Sequence, residues 1–575
     1  MRKALFVLLI SGFVLNVNAQ QEKNKQNNFA APFDIKLYLS GTFGELRSDH
    51  FHSGIDIKTQ GVEGKNVYAI EDGYVSRLRV SPNGFGKALY IAHPNGYTSV
   101  YGHLLDFNEN ISEFVKKKQY ERESFSVNLF PDKDEIPVER GQLIAFSGNT
   151  GGSLGPHLHF EIRETATQKP LNPLFFDFEI KDYVRPDIEY IKIYSVDAIN
   201  DRDYSENARK IKVDGWGLNH RLHDEDTIVI NGNVAFGIAT HDKLNDMPNK
   251  NGVYSVSLFI DSVLFYEHNM DAFSFSETRY INSLIDYAEY VESGLRFQRT
   301  EIDPNNRLSI YEKVENRGVY IPVDTLVHQV KYIVKDAYGN TSELSFLIKY
   351  ELEQLARVQI GSPPNPDMYF TWERENQYQT NDFKVETTAG AFYRDFVFTH
   401  STEEGTEGTF GKIHRIHDDG TPVHKYIQIF IKADSLPPDL LSKALLVRQD
   451  DEGEFSSAGG EYEDGFVRAS IRDFGNYAVM VDTVRPEIKP INIYDGKDMT
   501  AYKNIRLKID DDLSGIADYR ATINGKWVLM EYDPKFKLLT YKIDEHLPKG
   551  ESNFVLEVRD HKDNVNRFKA IINRR

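Results

Sequence analysis

Residues 148–162 read GNTGGSLGPHLHFEI, a glycine-rich loop that runs into a strand. His157 and His159 lie two residues apart in that strand, so their side chains share one face about 7 Å apart. One imidazole can bind a metal while the other faces the open side of a site. Gly148, Gly151, Gly152 and Gly155 let the loop before His157 come close to an extended peptide. Upstream, residues 64–80 (GKNVYAIEDGYVSRLRV) and 86–104 (GKALYIAHPNGYTSVYGHL) are further β-prone runs divided by Gly-containing turns. Asn95-Gly96 between two such runs signals a hairpin. A short helix is predicted over residues 111–124, inserted between strands.

The 575 residues include no cysteine, which excludes disulfides and thiol nucleophiles. A metal site here has to use His, Asp and Glu. His52 and Asp56 are spaced H-x-x-x-D in HFHSGIDIKT, His103 stands in VYGHLL, and the His157-x-His159 pair follows. This imidazole and carboxylate set suits Zn²⁺, whose catalytic sites use three protein ligands and leave one position open. Spacing leaves five candidates for three places. His50 and His93 fit no ligand spacing and read as surface or hydrogen-bonding residues. No H-E-x-x-H occurs, so the helix-borne Glu mechanism of other zinc proteases is excluded. His414, His417 and His424 read as surface positions, and Asp510, Asp511 and Asp512 as a solvated turn.

Three motifs carry a family likeness. LSGTFGELRSDHFHSGIDI (residues 39–57), YGHL (101–104) and GNTGGSLGPHLHFEI, in that order, resemble the LytM/lysostaphin-type zinc metallopeptidases, which cleave peptide cross-links of bacterial peptidoglycan. The likeness covers about residues 39–163. It implies a small, mostly antiparallel β domain with its site in a groove on the sheet. It also implies that His52, Asp56 and His159 are zinc ligands and that His103 and His157 are the catalytic histidines. In that reading His157 takes a proton as general base, while His103 stabilises an oxyanion or protonates the leaving amine. Sequence does not fix which histidine takes which part. All five residues are present, unlike in degenerate members that lack the metal site and activate other hydrolases. The connection after His103 is longer than the family core, and the helix with residues 128–137 (NLFPDKDEIP) is expected to form a groove wall.

The remaining sequence has a different texture. VRPDIEYIKIY (184–194) recurs as VRPEIKPINIY (484–494), and each copy closes on a related element, VKDAYGN (334–340) or VRDHKDN (558–564). Repeated short strands with such turns predict immunoglobulin-like β-sandwiches. In the first copy, Ile281, Leu284, Ile285, Ala288 and Val291 predict a helical insert, with a Ser274/Glu277 capping box and Gly294 at its end. The fold class expected is all-β, mainly antiparallel. Its domains are a signal peptide (1–19), a polar tether (20–31), a LytM-type peptidase domain (32–180), a sandwich with the helical insert (181–353), a β-rich domain (354–482) and a final sandwich (483–575).

Arg2 and Lys3, the apolar run 4–15 and Val17-Asn18-Ala19 read as a secretory signal, so the chain is expected to be exported, periplasmic or secreted, without a transmembrane anchor. A net charge of −19 argues against a nucleic-acid partner. Peptidoglycan peptides are the expected substrate, and the β-sandwich domains are expected to position the enzyme or hold envelope proteins. The alternatives are a non-catalytic peptidoglycan-binding or scaffold protein, and a zinc protease acting on envelope proteins.

Overall fold

The computed structural model describes residues 28–196, 201–351 and 368–575, with backbone alone at 201–203. The stretch read as a signal peptide lies outside the described residues, as does most of the tether. Phe29, within the stretch read as tether, is buried against His93, Tyr97, Phe176 and Phe178. An aromatic ring there has an apolar slot to fill, so the polar composition around it misleads.

The chain is all-β and mainly antiparallel. Its first sheet has nine strands, seven on one path in the order Leu39–Gly41, Ile55–Lys58, His157–Glu164, Tyr97–Leu104, Lys87–Ala92, Gly73–Val80 and Val127–Leu129. Ile55, Ile57, Leu89, Ile91, Leu158, Phe160 and Ile162 fill its core with no exposed surface. The period-two alternation of a strand places His157, His159, Glu161 and Arg163 opposite Leu158, Phe160 and Ile162. The Asn95-Gly96 turn joins two of these strands, with Gly96 at φ 88°.

Three further cores follow along the chain. Twelve strands between Asp187 and Tyr350 enclose one built on Ile191, Phe236, Leu258 and Tyr332. Two five-stranded sheets between Asn376 and Val481 enclose another, on Val385, Ile429, Leu446 and Val479. A four-stranded and a five-stranded sheet form the last, around Ile505, Leu507, Leu556 and Ile572. No helix among the described residues is long and apolar enough to cross a membrane.

The insert in the second unit is two short helices, Ile281–Leu284 and Tyr287–Ser293, rather than one. Ile285 is extended (ψ 161°), and the Asp286 carboxylate caps the second helix by accepting from Glu289 N. The local aspartate cap wins over the capping box, and Ser274 instead bonds Ser276. Gly294 ends the helix in the left-handed conformation, as its position predicts. The insert is a wedge: Phe273 stacks on Phe43 at 4.9 Å and meets Phe51 at 5.3 Å, while Tyr280 stacks on His424 at 4.3 Å.

The helix Glu109–Arg122 forms as expected, with Asn108 accepting from Ile111 N. It does not form a wall of the histidine cleft described below. It faces the last unit instead, where Tyr120 stacks on His546 at 4.0 Å, packs edge-on against Trp527 and donates to Asp544. Lys116 pairs with Asp544 at 2.8 Å. Burial works against the Asp544 carboxylate, but Lys116, the Tyr541 hydroxyl and the His546 N–H hold its pKa down at about 2. A depressed folded-state pKa gives stability that is present above the ordinary carboxylate range and lost as pH falls toward 2. Trp527 fluorescence is therefore expected to report loosening of this contact on acidification from pH 4 to 2. In Asp544→Asn that acid step should be missing.

Candidate metal centre

The site is built at the join of two strands and a loop. Register places His159 between Asp56 on one neighbouring strand and Gly102 on the other. A Cβ on Gly102 would come within 3.3 Å of the His159 Cβ and 3.5 Å of the Phe85 Cβ, so glycine makes room for both rings. His52 lies just before the strand Ile55–Lys58 and folds back over it. His52 Nε2 lies 3.0 Å from Asp56 Oδ1 and 3.0 Å from His159 Nδ1, and His159 Nδ1 lies 3.0 Å from Asp56 Oδ1.

The outer nitrogens settle where the protons are. His52 Nδ1 is 2.8 Å from the Thr42 carbonyl, which can only accept, so Nδ1 carries the hydrogen and Nε2 is bare in the neutral ring. His159 Nε2 donates to Glu161 at 2.9 Å, which leaves Nδ1 bare. With both rings neutral, as a bound cation requires, three electron-pair donors converge with no proton between them. That arrangement is repulsive by itself and suits a cation, and an N₂O donor set fits Zn²⁺. With no cation, burial opposes the charged ring of His159, but Asp56 and Glu161 outweigh it and push its pKa up to about 9. Burial opposes the Asp56 carboxylate too, yet the surrounding histidines hold it well below the usual range. Arg47 Nη2 reaches its other oxygen at 3.0 Å.

The remaining two histidines stand beside this trio. His157 Nδ1 donates to the Gly155 carbonyl at 2.8 Å, and its Nε2 is 3.5 Å from Asp56 Oδ1. His103 Nδ1 donates to the Thr150 carbonyl at 2.8 Å, and its ring centroid is 4.8 Å from that of His157. A regular strand would turn His103 away from Gly102 toward the core. Pairing with the neighbouring strand slips between Lys87 and Leu89, and His103 itself takes φ 58°, a left-handed conformation rare for a non-glycine residue. The bulge brings His103 to the site face, at a backbone cost of order 1–3 kcal/mol. Burial, then His159 and His157, lower its pKa to about 3, so it is neutral at neutral pH.

The structure therefore gathers His52, Asp56, His103, His157 and His159 into one cleft of about 1070 Å³. Leu154 stands fully exposed on the glycine-rich rim, and Asn249 and Arg296 of the second unit supply part of the opposite side. His50 also borders the cleft and is exposed, whereas His93 is buried and bonded to the Asp72 carbonyl and Ser99. His414 and His417 are buried, not at the surface: His414 stacks near Phe383, and His417 packs on Phe396.

The sequence reading passed over Glu161 and Arg163. Glu161 is wholly buried, takes the outer nitrogen of His159 and is held by Arg163 at 2.5 Å. Burial alone would raise its pKa, but Arg163 and His159 bring it to about 2. The H-x-H alternation simply continues as H-x-H-x-E-x-R, and that was the available signal. Glu161→Gln is expected to weaken zinc affinity about 10–100-fold, as read by competition with a chelator.

Residues 50–120 and 132–173 match the model of peptidase family M23, and residues 367–482 match that of the Zu5-like domain. The chain is 31% identical over 145 residues to the DD-carboxypeptidase/endopeptidase Mpg of Neisseria meningitidis, covering 25% of this chain and 26% of that protein. It is 33% identical over 137 residues to the peptidoglycan DD-endopeptidase ShyA of Vibrio cholerae (23% and 26%). It is also 33% identical over 133 residues to the murein hydrolase activator NlpD of Escherichia coli (23% and 27%). The chain thus spans about a quarter of the length of these curated relatives. The matched segment contains His52, Asp56, His103, His157 and His159, and the sheet that carries them is antiparallel. This chain carries a LytM-type domain of peptidase family M23, followed by C-terminal β domains.

Proposed function

We propose that the chain is an exported zinc endopeptidase that hydrolyses peptide bonds in peptidoglycan stems or cross-links, with His52, Asp56 and His159 as the ligands. The observation that carries this reading is the convergence of donor atoms from His52, Asp56 and His159 beside two further histidines in an open cleft. Relatives named as peptidoglycan DD-endopeptidases support the substrate class. A zinc ion held by these three residues would supply Lewis acidity toward a carbonyl oxygen and activate water.

The chain's own residues supply the rest. His157, with its hydrogen fixed on Nδ1 by the Gly155 carbonyl, presents Nε2 to accept a proton. His103, fixed in the same way by Thr150, presents Nε2 beside it. A proton taken up at the His157 Nε2 can be returned from that same nitrogen to a leaving amine, while the bare His103 Nε2 accepts a hydrogen bond beside it. Glu161 and the Thr42 carbonyl orient the two ligand rings. Asn249 and Arg296 of the second unit border the cleft, and the domain limits proposed are about 32–180, 181–353, 354–482 and 483–575, a division that the four cores support.

The test is digestion of purified peptidoglycan followed by muropeptide analysis. Loss of cross-linked muropeptides is expected, and unchanged cross-links with zinc-loaded protein would refute the proposal. One relative is named as a hydrolase activator, so a non-catalytic role is the competing reading. A protein unable to take up zinc would favour it, and cleavage of casein in place of wall fragments would point to envelope proteins.

A further inference from the structure

A second cluster of ligating groups lies away from the histidine cleft. Asp182 precedes the first strand of the second unit, Asp242 follows the strand Val234–His241 and Asp336 follows Val327–Lys335. One carboxylate oxygen from each lies within 4.8 Å of the others, and all three residues are at most 4% exposed. Asp182 Oδ2 and Asp242 Oδ1 are buried and have no hydrogen-bond partner. Both residues line a small cavity with Thr42, Asn172, Gly252 and Tyr338, at the seam between the first and second units. A buried carboxylate oxygen left unpaired is unfavourable, and three carboxylates so close together favour a positive charge among them.

The arrangement is built twice. In the repeat, Asp482, Asp511 and Asp560 cluster in the same way. Asp182 Oδ1 accepts from Val184 N at 3.0 Å, and Asp482 Oδ1 accepts from Val484 N at 3.0 Å. Asn340 Nδ2 bridges the Asp182 carbonyl and Asp336, and Asn564 Nδ2 bridges the Asp482 carbonyl and Asp560. Asp511, read from sequence as part of a solvated turn, is thus the counterpart of Asp242. The copies differ in one respect. Asp482 Oδ2 accepts from Ser514 N and Asp511 Oδ2 from Gly515 N, which leaves Asp511 Oδ1 open there, whereas in the first copy Asp182 Oδ2 and Asp242 Oδ1 both stay open.

We propose that Asp182, Asp242 and Asp336 bind a hard divalent cation of the calcium type, which pins the segment leaving the first unit to the second. An all-oxygen set with no His or Cys selects such an ion over zinc. Oxygens spread over as much as 4.8 Å are spanned by an ion about 2.3–2.6 Å from each. The proposal is independent of the zinc reading.

The experiment is equilibrium dialysis of the full chain against calcium, with thermal melts in parallel. Wild type is expected to take up calcium and to melt on the order of 5–10 °C higher at a hundredfold excess over Kd. Asp242→Asn should bind one calcium fewer per chain and lose that rise, and Asp182→Asn serves if the first variant does not fold. A wild-type chain that binds no calcium at millimolar concentration overturns the proposal. So does a folded variant that binds as many ions as wild type.

Discussion

In His159→Ala, zinc content is expected to fall to background and peptidoglycan hydrolysis to disappear with it. The change removes one of only three converging donors. It also strips Glu161 of the imidazole it orients, in a place with no access to water. His157→Ala should behave differently, although it lies two residues away on the same face. The His157 side chain is 17% exposed against 3% for His159, and its nearest approach to the trio is 3.5 Å. That variant should keep most of its zinc and lose about 10²–10⁴-fold in kcat, the usual worth of a positioned general base. Metal analysis and kinetics on the two variants together are the check. The opposite pattern would exchange their roles.

Ending the chain after Tyr183 is expected to lower its melting temperature sharply and to make it associate. Phe43 and Phe51 are 2% and 1% exposed, and they owe this to Phe273, Met270 and Tyr280 from the second unit. Re-exposing two such rings costs roughly 3–6 kcal/mol at 1.5–3 kcal/mol each. Lys87, buried beside Asp106, would lose Glu531 as well. Calorimetry and size-exclusion chromatography on the truncated and full chains measure the effect. A truncated chain with unchanged melting temperature and unchanged activity would mean that the β domains neither support nor position the first one.

How far the sequence could be read depended on how local each signal was. The H-x-H pair and the alternation around it are strand properties, legible at a spacing of two. The H-x-x-x-D pair was legible as a spacing, although its geometry comes from a loop folding onto a strand. The reach of His103 was not legible, because it depends on a bulge at a non-glycine left-handed residue. The helix Glu109–Arg122 was placed well, but its partner lies more than 400 residues away, so its role as a cleft wall was misjudged. His414 and His417 looked exposed because the strand Ile413–Ile416, which His417 follows, is short and polar-flanked. Only the packed sheets show the rings of Phe383 and Phe396 over them. The repeat was visible as text, but that its aspartates meet could be known only once the strands were paired.

Lys535 of the last unit donates to the carbonyls of Asn149 and Ser153, in the loop that leads to His157. The partners are 386 and 382 residues apart. Closing so long a loop costs little more entropy than closing one half as long, but it sets an order in time. A ribosome makes the cleft histidines well before Lys535, at about 5–20 residues per second. The loop beside the cleft therefore acquires this fastening tens of seconds after its own synthesis.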